Sequence, residues 1–215
     1  MGLRRETVVR AALKLVNEVG LEGLTLRLIA DELGVRPPAL YWHVRNKQEL
    51  LDHMASLLLA GAFGDVQPPR PGQPWWEWMA EFARNLRRVL LSHRDGARMC
   101  AGTYLREETL FTSTEMMLRA LTEAGFSLRD ATRDAATVYA YVVGFTIEEQ
   151  AVTPAPGEHN EQYSPDLLRT QFDRQRHPLL FQSVEDAFGT DTADDRFEHG
   201  LNLILSGMRL SLEGK

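Results

Sequence analysis

The 215-residue chain is poor in the features that mark several large classes of protein. It has one cysteine, Cys100, so no disulfide framework can form within it and no cysteine-rich zinc module is present. Its longest apolar runs, such as Leu57-Leu58-Leu59-Ala60, are far too short to cross a bilayer. The segment Met1–Glu6 lacks the apolar stretch of a secretory signal. Alternation of apolar and polar residues is nowhere sustained over five positions, which argues against strands, and no internal repeat is found. Phosphate-binding glycine loops, HExxH and paired-carboxylate motifs are missing, so nothing positive supports an enzyme. No cofactor or metal site is expected. These absences predict a soluble, cytoplasmic, all-α protein without membrane attachment.

Excess positive charge is lacking too. The net charge is -6, from 24 Lys+Arg against 30 Asp+Glu, which speaks mildly against a nucleic-acid partner. Divided by position, the picture changes. Residues 1–50 carry 8 basic against 6 acidic side chains, +2, and the remainder carries 16 against 24, or -8. A polyanion-binding face is therefore sought in the first fifty residues.

There Val9, Ala12, Leu13 and Val16 fall at helical spacing, and Gly20 ends that helix. Thr25 caps a short second helix whose inner face is Leu26, Ile29, Ala30 and Leu33, stopped by Gly34. Arg36 and Pro37 are expected to be extended, with Pro38 at the first position of a brief third helix. Leu40 and Val44 can face inward, which leaves Tyr41, Trp42 and His43 either near the surface or packed as small-domain aromatics. Asn46 caps a fourth helix to about Phe63, with Glu49 completing a capping-box pair. Its inner stripe is Leu50, Met54, Leu57 and Leu58. Two short helices around a glycine turn form a helix-turn-helix pattern. Arg27 can pair with a guanine edge, and Lys47 beside a helix N-terminus can meet a phosphate.

Residues 64–74 hold four prolines and two glycines and divide a head, 1–63, from a body, 75–215. In the body, helices are expected from Trp75 to Leu90, Thr109 to Ala124, Ser127 (as cap) to Gln150, and Phe197 to Leu212. A loop spans Val152–Ser164, and a weaker helical region spans Leu167–Phe188, broken at Pro178. Trp75, Trp78, Met79, Phe82, Met116, Met117 and Tyr139 suit either core packing or an adaptable apolar cavity. Cys100 and His93 lack an oriented third group, so a buried thiol and a surface histidine are expected rather than a nucleophile and base. His43, His53, Asp52 and Glu49 read as solvated surface. The final helix and the stripe Val138-Tyr139-Val142-Phe145 are the expected dimer surfaces, with Gly144 and Gly207 allowing close approach.

Residues 4–63 resemble the DNA-binding domain of the tetracycline-repressor (TetR) family of bacterial regulators. The motifs that carry it are Ala11-Ala12-Leu13-Lys14-Leu15, Gly20-Leu21-Glu22-Gly23-Leu24-Thr25, Ile29-Ala30-Asp31-Glu32-Leu33-Gly34-Val35, Ala39-Leu40-Tyr41-Trp42-His43-Val44 and Asn46-Lys47. Arg94-Asp95-Gly96-Ala97, Gly102-Thr103, Gly125–Asp130 and Glu148-Glu149-Gln150 extend it into the body, with residues 152–195 matching poorly. The resemblance implies a homodimer whose heads read a palindromic double-stranded operator, and a helical body that binds a small-molecule effector. DNA recognition then falls to Arg27, Arg36, Pro37, Pro38, Tyr41, Trp42, His43 and Lys47. The effector set is Phe63, Phe82, Leu86, Cys100, Thr103, Met116, Met117, Tyr139 and Glu148. Departures are equally informative. Pro37 stands where tetracycline-binding members have a base-reading glutamine, and Leu26 where they have a threonine. Phe63, Phe82 and Cys100 replace a drug-contacting histidine, an asparagine and the magnesium-coordinating histidine. The resemblance with these losses implies a ligand more hydrophobic than magnesium–tetracycline. The rival reading is a helical small-molecule-binding or catalytic protein whose head no longer binds DNA.

Overall fold

The computed structural model describes residues 3–64, 66–102, 108–155, 157–189 and 191–214, and among them every regular element is helical. The head comprises α1 (Arg5–Gly23), α2 (Leu26–Glu32), a 3₁₀ segment Pro37–Trp42, and α3 (Lys47–Phe63). The body comprises α4 (Trp75–Leu91), α5 (Gly96–Cys100), α6 (Glu108–Glu123), α7 (Leu128–Val152), a 3₁₀ turn Glu161–Tyr163, α8 (Pro165–Gln171), α9 (Pro178–Gly189) and α10 (Ala193–Glu213). No helix among the described residues is long and apolar enough to cross a membrane.

The expected stripes form the core. Val9, Ala12, Leu13 and Val16 of α1 close over Ile29, Ala30, Leu40, Val44, Leu50 and Met54. In the body, Met79, Leu86 and Leu90 of α4 meet Val138 and Val142 of α7 and Phe197 and Leu201 of α10. Each fully buried large apolar side chain contributes about 1.5–3 kcal/mol. Arg87 joins the same three helices: it pairs with Glu149 and Asp194, each at 2.7 Å, and lies 4.8 Å from the centre of the Phe197 ring.

Most turns and caps fall where the sequence places them. Gly20 leaves helical geometry at φ +70° and kinks the end of α1. Gly34, at φ +64°, makes the turn after α2, where the N–H of Val35 returns to the carbonyl of Ala30 at 3.0 Å. The Thr25, Asn46 and Ser127 side chains cap their helices as expected. Glu49 differs: it accepts from the N–H of Arg45 at 2.7 Å, one residue before the cap. That bond holds its carboxyl below the usual carboxylate range.

Three expectations are corrected. Pro37 is already inside the 3₁₀ segment and only Arg36 is extended, since proline carries no N–H and neither of the first two helical positions needs one. The region Leu167–Phe188 breaks at Phe172, and Pro178 opens α9 instead of interrupting a helix. Val138 and Val142 are fully buried within one protomer, so they are core and not a dimer surface. Helical periodicity reveals which face is covered but not what covers it. The outward residues are Leu203 and Leu210 of α10, 63% and 69% exposed, with Gly144 and Gly207 facing open space.

Candidate functional site

The head presents its polar and aromatic groups on the second half of the helix-turn-helix. Leu40 is fully buried and pins the 3₁₀ segment to the core. The i→i+3 winding is fixed by Ala39 N–H to Arg36 O at 2.9 Å and His43 N–H to Leu40 O at 2.8 Å. Tyr41 and Trp42 are thereby turned outward, 56% and 88% exposed, so neither is a core aromatic. Pro37 and Pro38 are exposed beside them.

Arg27, at the second position of α2, and Arg36 are exposed, and neither side chain has an ion pair or hydrogen bond among the described residues. By contrast, Arg84, Arg87, Arg94, Arg98 and Arg169 of the body are all paired with carboxylates. Unpaired guanidinium groups are available for phosphates and guanine edges. His43 is half-buried and its carbonyl accepts from Arg5 Nε at 3.0 Å. Lys47 opens α3, where its ammonium donates to Leu21 O at 3.1 Å and keeps two further donors. Seven of the eight expected DNA-binding residues are thus exposed, and His43 is half-buried.

The residues expected to bind an effector divide. Phe63 at the end of α3 and Phe82 of α4 have ring centres 5.2 Å apart, tilted by 48°. Leu86 and Met117 are buried and Met116 is half-buried. Tyr139 O–H donates to Cys100 O at 3.4 Å, which ties α7 to the end of α5. Thr103 lies outside the described residues. Glu148 stands apart, exposed, on a cleft of about 460 Å³ shared with Leu91, Phe145 and Val152.

The donor set does not suit magnesium. Cys100 is 2% exposed, and burial pushes its thiol up to about 12, so it stays neutral. A neutral thiol is a poor partner for a hard cation that prefers oxygen ligands. Among the described residues no group of three or more His, Cys, Asp or Glu side chains could hold a metal.

Sequence reasoning missed the residues that join head to body. Asp95 Oδ2 accepts from Leu21 N–H at 2.8 Å, and Asn17 Oδ1 accepts from Arg94 N–H at 3.0 Å. Behind them Gln150, buried in α7, accepts from Ala97 N–H at 3.0 Å and donates to His93 O at 2.8 Å. The motifs Arg94–Ala97 and Glu148–Gln150 carry the family resemblance and say nothing of this contact. A buried amide serving backbone groups has no periodic signature.

Comparisons with known proteins agree with this geometry. The family model described as bacterial regulatory proteins, tetR family, matches residues 8–54. The model described as tetracyclin repressor-like, C-terminal domain, matches residues 68–212. The tetracycline repressor protein class A from transposon 1721 of Escherichia coli is 41% identical over 206 residues, which are 96% of this chain and 90% of that protein. The crystal structure of a possible TetR family regulator from Streptomyces coelicolor superposes with a TM-score of 0.84 at 36% identity, covering 96% of this chain and 99% of that one. The Streptomyces coelicolor TetR family protein ActR, in complex with actinorhodin, gives 0.83 at 26% identity, with 99% of each chain covered. With both halves matched and nearly its full length aligned, the chain belongs to the tetracycline-repressor family of bacterial regulatory proteins.

Proposed function

We propose that the protein is a cytoplasmic transcriptional repressor that binds a palindromic operator as a homodimer and is released by a hydrophobic small molecule. It is a regulator and not an enzyme. In this reading residues 1–63 are the DNA head and residues 75–215 the effector and dimerisation body, with 64–74 linking them. The observation that carries it is the outward display of Tyr41 and Trp42 on the helix-turn-helix that also exposes the unpaired Arg27 and Arg36. Arg27 reads a guanine edge, Pro37 offers only apolar contact where an amide would read adenine, and Trp42, His43 and Lys47 hold the backbone.

The effector is hydrophobic because Phe63, Phe82 and Cys100 stand where the tetracycline-binding members carry polar groups. Relatives with other ligands support a flexible choice, since ActR is known with actinorhodin bound. Effector and DNA oppose each other by a coupling of about 1–3 kcal/mol, a roughly 5–150-fold change in operator affinity. The test begins with selection of bound DNA from a random pool. A palindromic consensus with steeply salt-dependent affinity is expected, and compounds are then screened for release of that DNA. A pool that returns no enriched sequence would sink the reading.

A further inference from the structure

Within the head, between α1 and α3, lies a cleft of about 280 Å³. Helical spacing builds its walls. His53, Ser56, Leu57 and Ala60 fall at i, i+3, i+4 and i+7 on one face of α3, and Arg5 and Val9 fall at i and i+4 on α1. None of these residues belongs to the set expected to bind an effector or to the set expected to meet DNA. The volume is at the small end for a ligand site and suits a single aromatic ring with one polar substituent.

The group that sets this cleft apart is Ser56. It is 4% exposed, and a buried hydroxyl ordinarily finds a hydrogen-bond partner. Elsewhere helical hydroxyls turn back on their own helix: Thr114 donates to Leu110 O at 2.8 Å, and Thr146 to Val142 O at 2.7 Å. Ser56 makes no hydrogen bond among the described residues, and its side chain lines the cleft. An acceptor brought into the cleft would complete it.

Arg5 supplies charge. Its Nε donates to His43 O at 3.0 Å, and its terminal nitrogens make no hydrogen bond or ion pair among the described residues. The acids nearby are engaged with other groups. Glu6 pairs with Arg10 at 2.9 Å. Glu49 feels the positive charge of Arg5 but accepts from the N–H of Arg45 at 2.7 Å and faces His53 at 4.0 Å. The cleft thus combines a guanidinium with donors to spare, a hydroxyl without a partner, and apolar walls from Val9, Leu57 and Ala60. A planar carboxylate on an apolar body matches all three.

We propose that the head carries a small-molecule site of its own, for aromatic monocarboxylates about the size of benzoate. The carboxylate pairs with Arg5 and accepts from Ser56, and the ring lies on Val9, Leu57 and Ala60. The same Arg5 holds the carbonyl of His43 at the end of the 3₁₀ segment, so one side chain links the guest to the segment that displays Tyr41 and Trp42. Binding here requires neither operator nor effector, and its test is independent of the function proposed above.

The probes are benzoate and benzamide, alike in shape and differing in charge. They are titrated into the full chain at fixed pH while the imidazole resonances are followed, that of His53 being assigned with His53→Gln. Benzoate should move the His53 resonance saturably and bind roughly tenfold more tightly than benzamide. Arg5→Gln should bring benzoate down to the level of benzamide, and Ser56→Ala should weaken benzoate severalfold. Ala60→Phe, which fills the cleft from α3, should abolish both responses. Arg5→Gln and Ser56→Ala add no bulk and decide the matter by themselves if Ala60→Phe does not fold. The proposal is overturned by an unmoved His53 resonance, by equal affinities for the two probes, by benzoate binding unchanged in Arg5→Gln and Ser56→Ala, or by binding that survives in a folded Ala60→Phe.

Discussion

Asp95 Oδ2 accepts the backbone N–H of Leu21 at 2.8 Å, joining body to head across 74 residues of sequence. The carbonyl of the same Leu21 accepts from Lys47 Nζ at 3.1 Å. One residue in the bend at the end of α1 is thus gripped from both sides, by the body and by the start of α3. Arg98 reinforces the grip with ion pairs to Asp95 at 3.1 Å and Glu22 at 3.3 Å. Asp95 does this from φ 56°, a left-handed conformation that aspartate and asparagine tolerate better than other side chains.

Removing that carboxylate should loosen the junction. Asp95→Ala leaves the Leu21 N–H unmatched and places alanine in an unfavourable conformation, for a loss of about 2 kcal/mol. Asp95→Asn keeps an acceptor and the backbone preference, and should lose less. Urea unfolding at one fixed protomer concentration measures both, since dimerisation makes stability depend on concentration. Equal stability of Asp95→Ala and the parent would show that the junction carries no strength.

The contrast between what was and was not legible is sharpest around this junction. Gly20, Thr25, Gly34 and Asn46 declare themselves because turns and caps depend on one residue's own chemistry. Val138 and Val142 declare a buried face but not its neighbour, because covering by a helix of the same chain or by a second copy demands the same apolar stripe. Asp95, Leu21 and Gln150 were silent. Their roles rest on which backbone groups come to lie opposite them after the chain has folded, and nothing local encodes that. Glu148 lines a cleft with Leu91, Phe145 and Val152, and neither Phe82 nor Cys100 is among its walls.

Base reading and phosphate binding should separate by mutation. Lys47→Ala removes one phosphate contact per head, and the slope of log affinity against log salt should flatten by about 0.9 for each. Discrimination between operator variants should persist. Arg27→Ala should do the reverse, with a loss of about 1–3 kcal/mol on the cognate site and relaxed preference at one base pair. Filter binding across a salt series on cognate and substituted operators measures both. Identical behaviour of the two variants would remove the division of labour.

Trp42 and Tyr41 are exposed, so their replacement should be seen in DNA binding and not in folding. Trp42→Ala and Tyr41→Ala should leave stability within about 0.5 kcal/mol, while operator affinity falls severalfold or more. A melting temperature that collapses with either change would mean that the ring packs into the head after all.

Magnesium–tetracycline should give no saturable heat in calorimetry. The thiol of Cys100 is neutral and buried, and Phe63 and Phe82 offer rings where a polar drug needs partners. Cys100→His alone should not create binding, because it restores one ligand and leaves both rings in place. Tight binding by the unaltered protein would overturn the hydrophobic assignment of the effector.

Alkaline pH should weaken the body through two groups that touch. Burial raises the Cys100 thiol from 9.0 to about 12 and the Tyr139 hydroxyl from 10.0 to about 12. Both are neutral when protonated, so the folded state holds its protons longer than the unfolded chain does. Stability is therefore unaffected by them below about pH 9 and falls as pH rises toward 12, at up to about 1.4 kcal/mol per pH unit for each group. Cys100→Ala should flatten the alkaline limb of a stability profile, whatever its effect at pH 7, and Tyr139→Phe should flatten the part above pH 10. Alkylation of the thiol by iodoacetamide at pH 8 offers an independent measure, slow in the folded protein and fast in urea. Rapid labelling without denaturant would mean that the thiol is open to solvent, and the alkaline argument would fall with it.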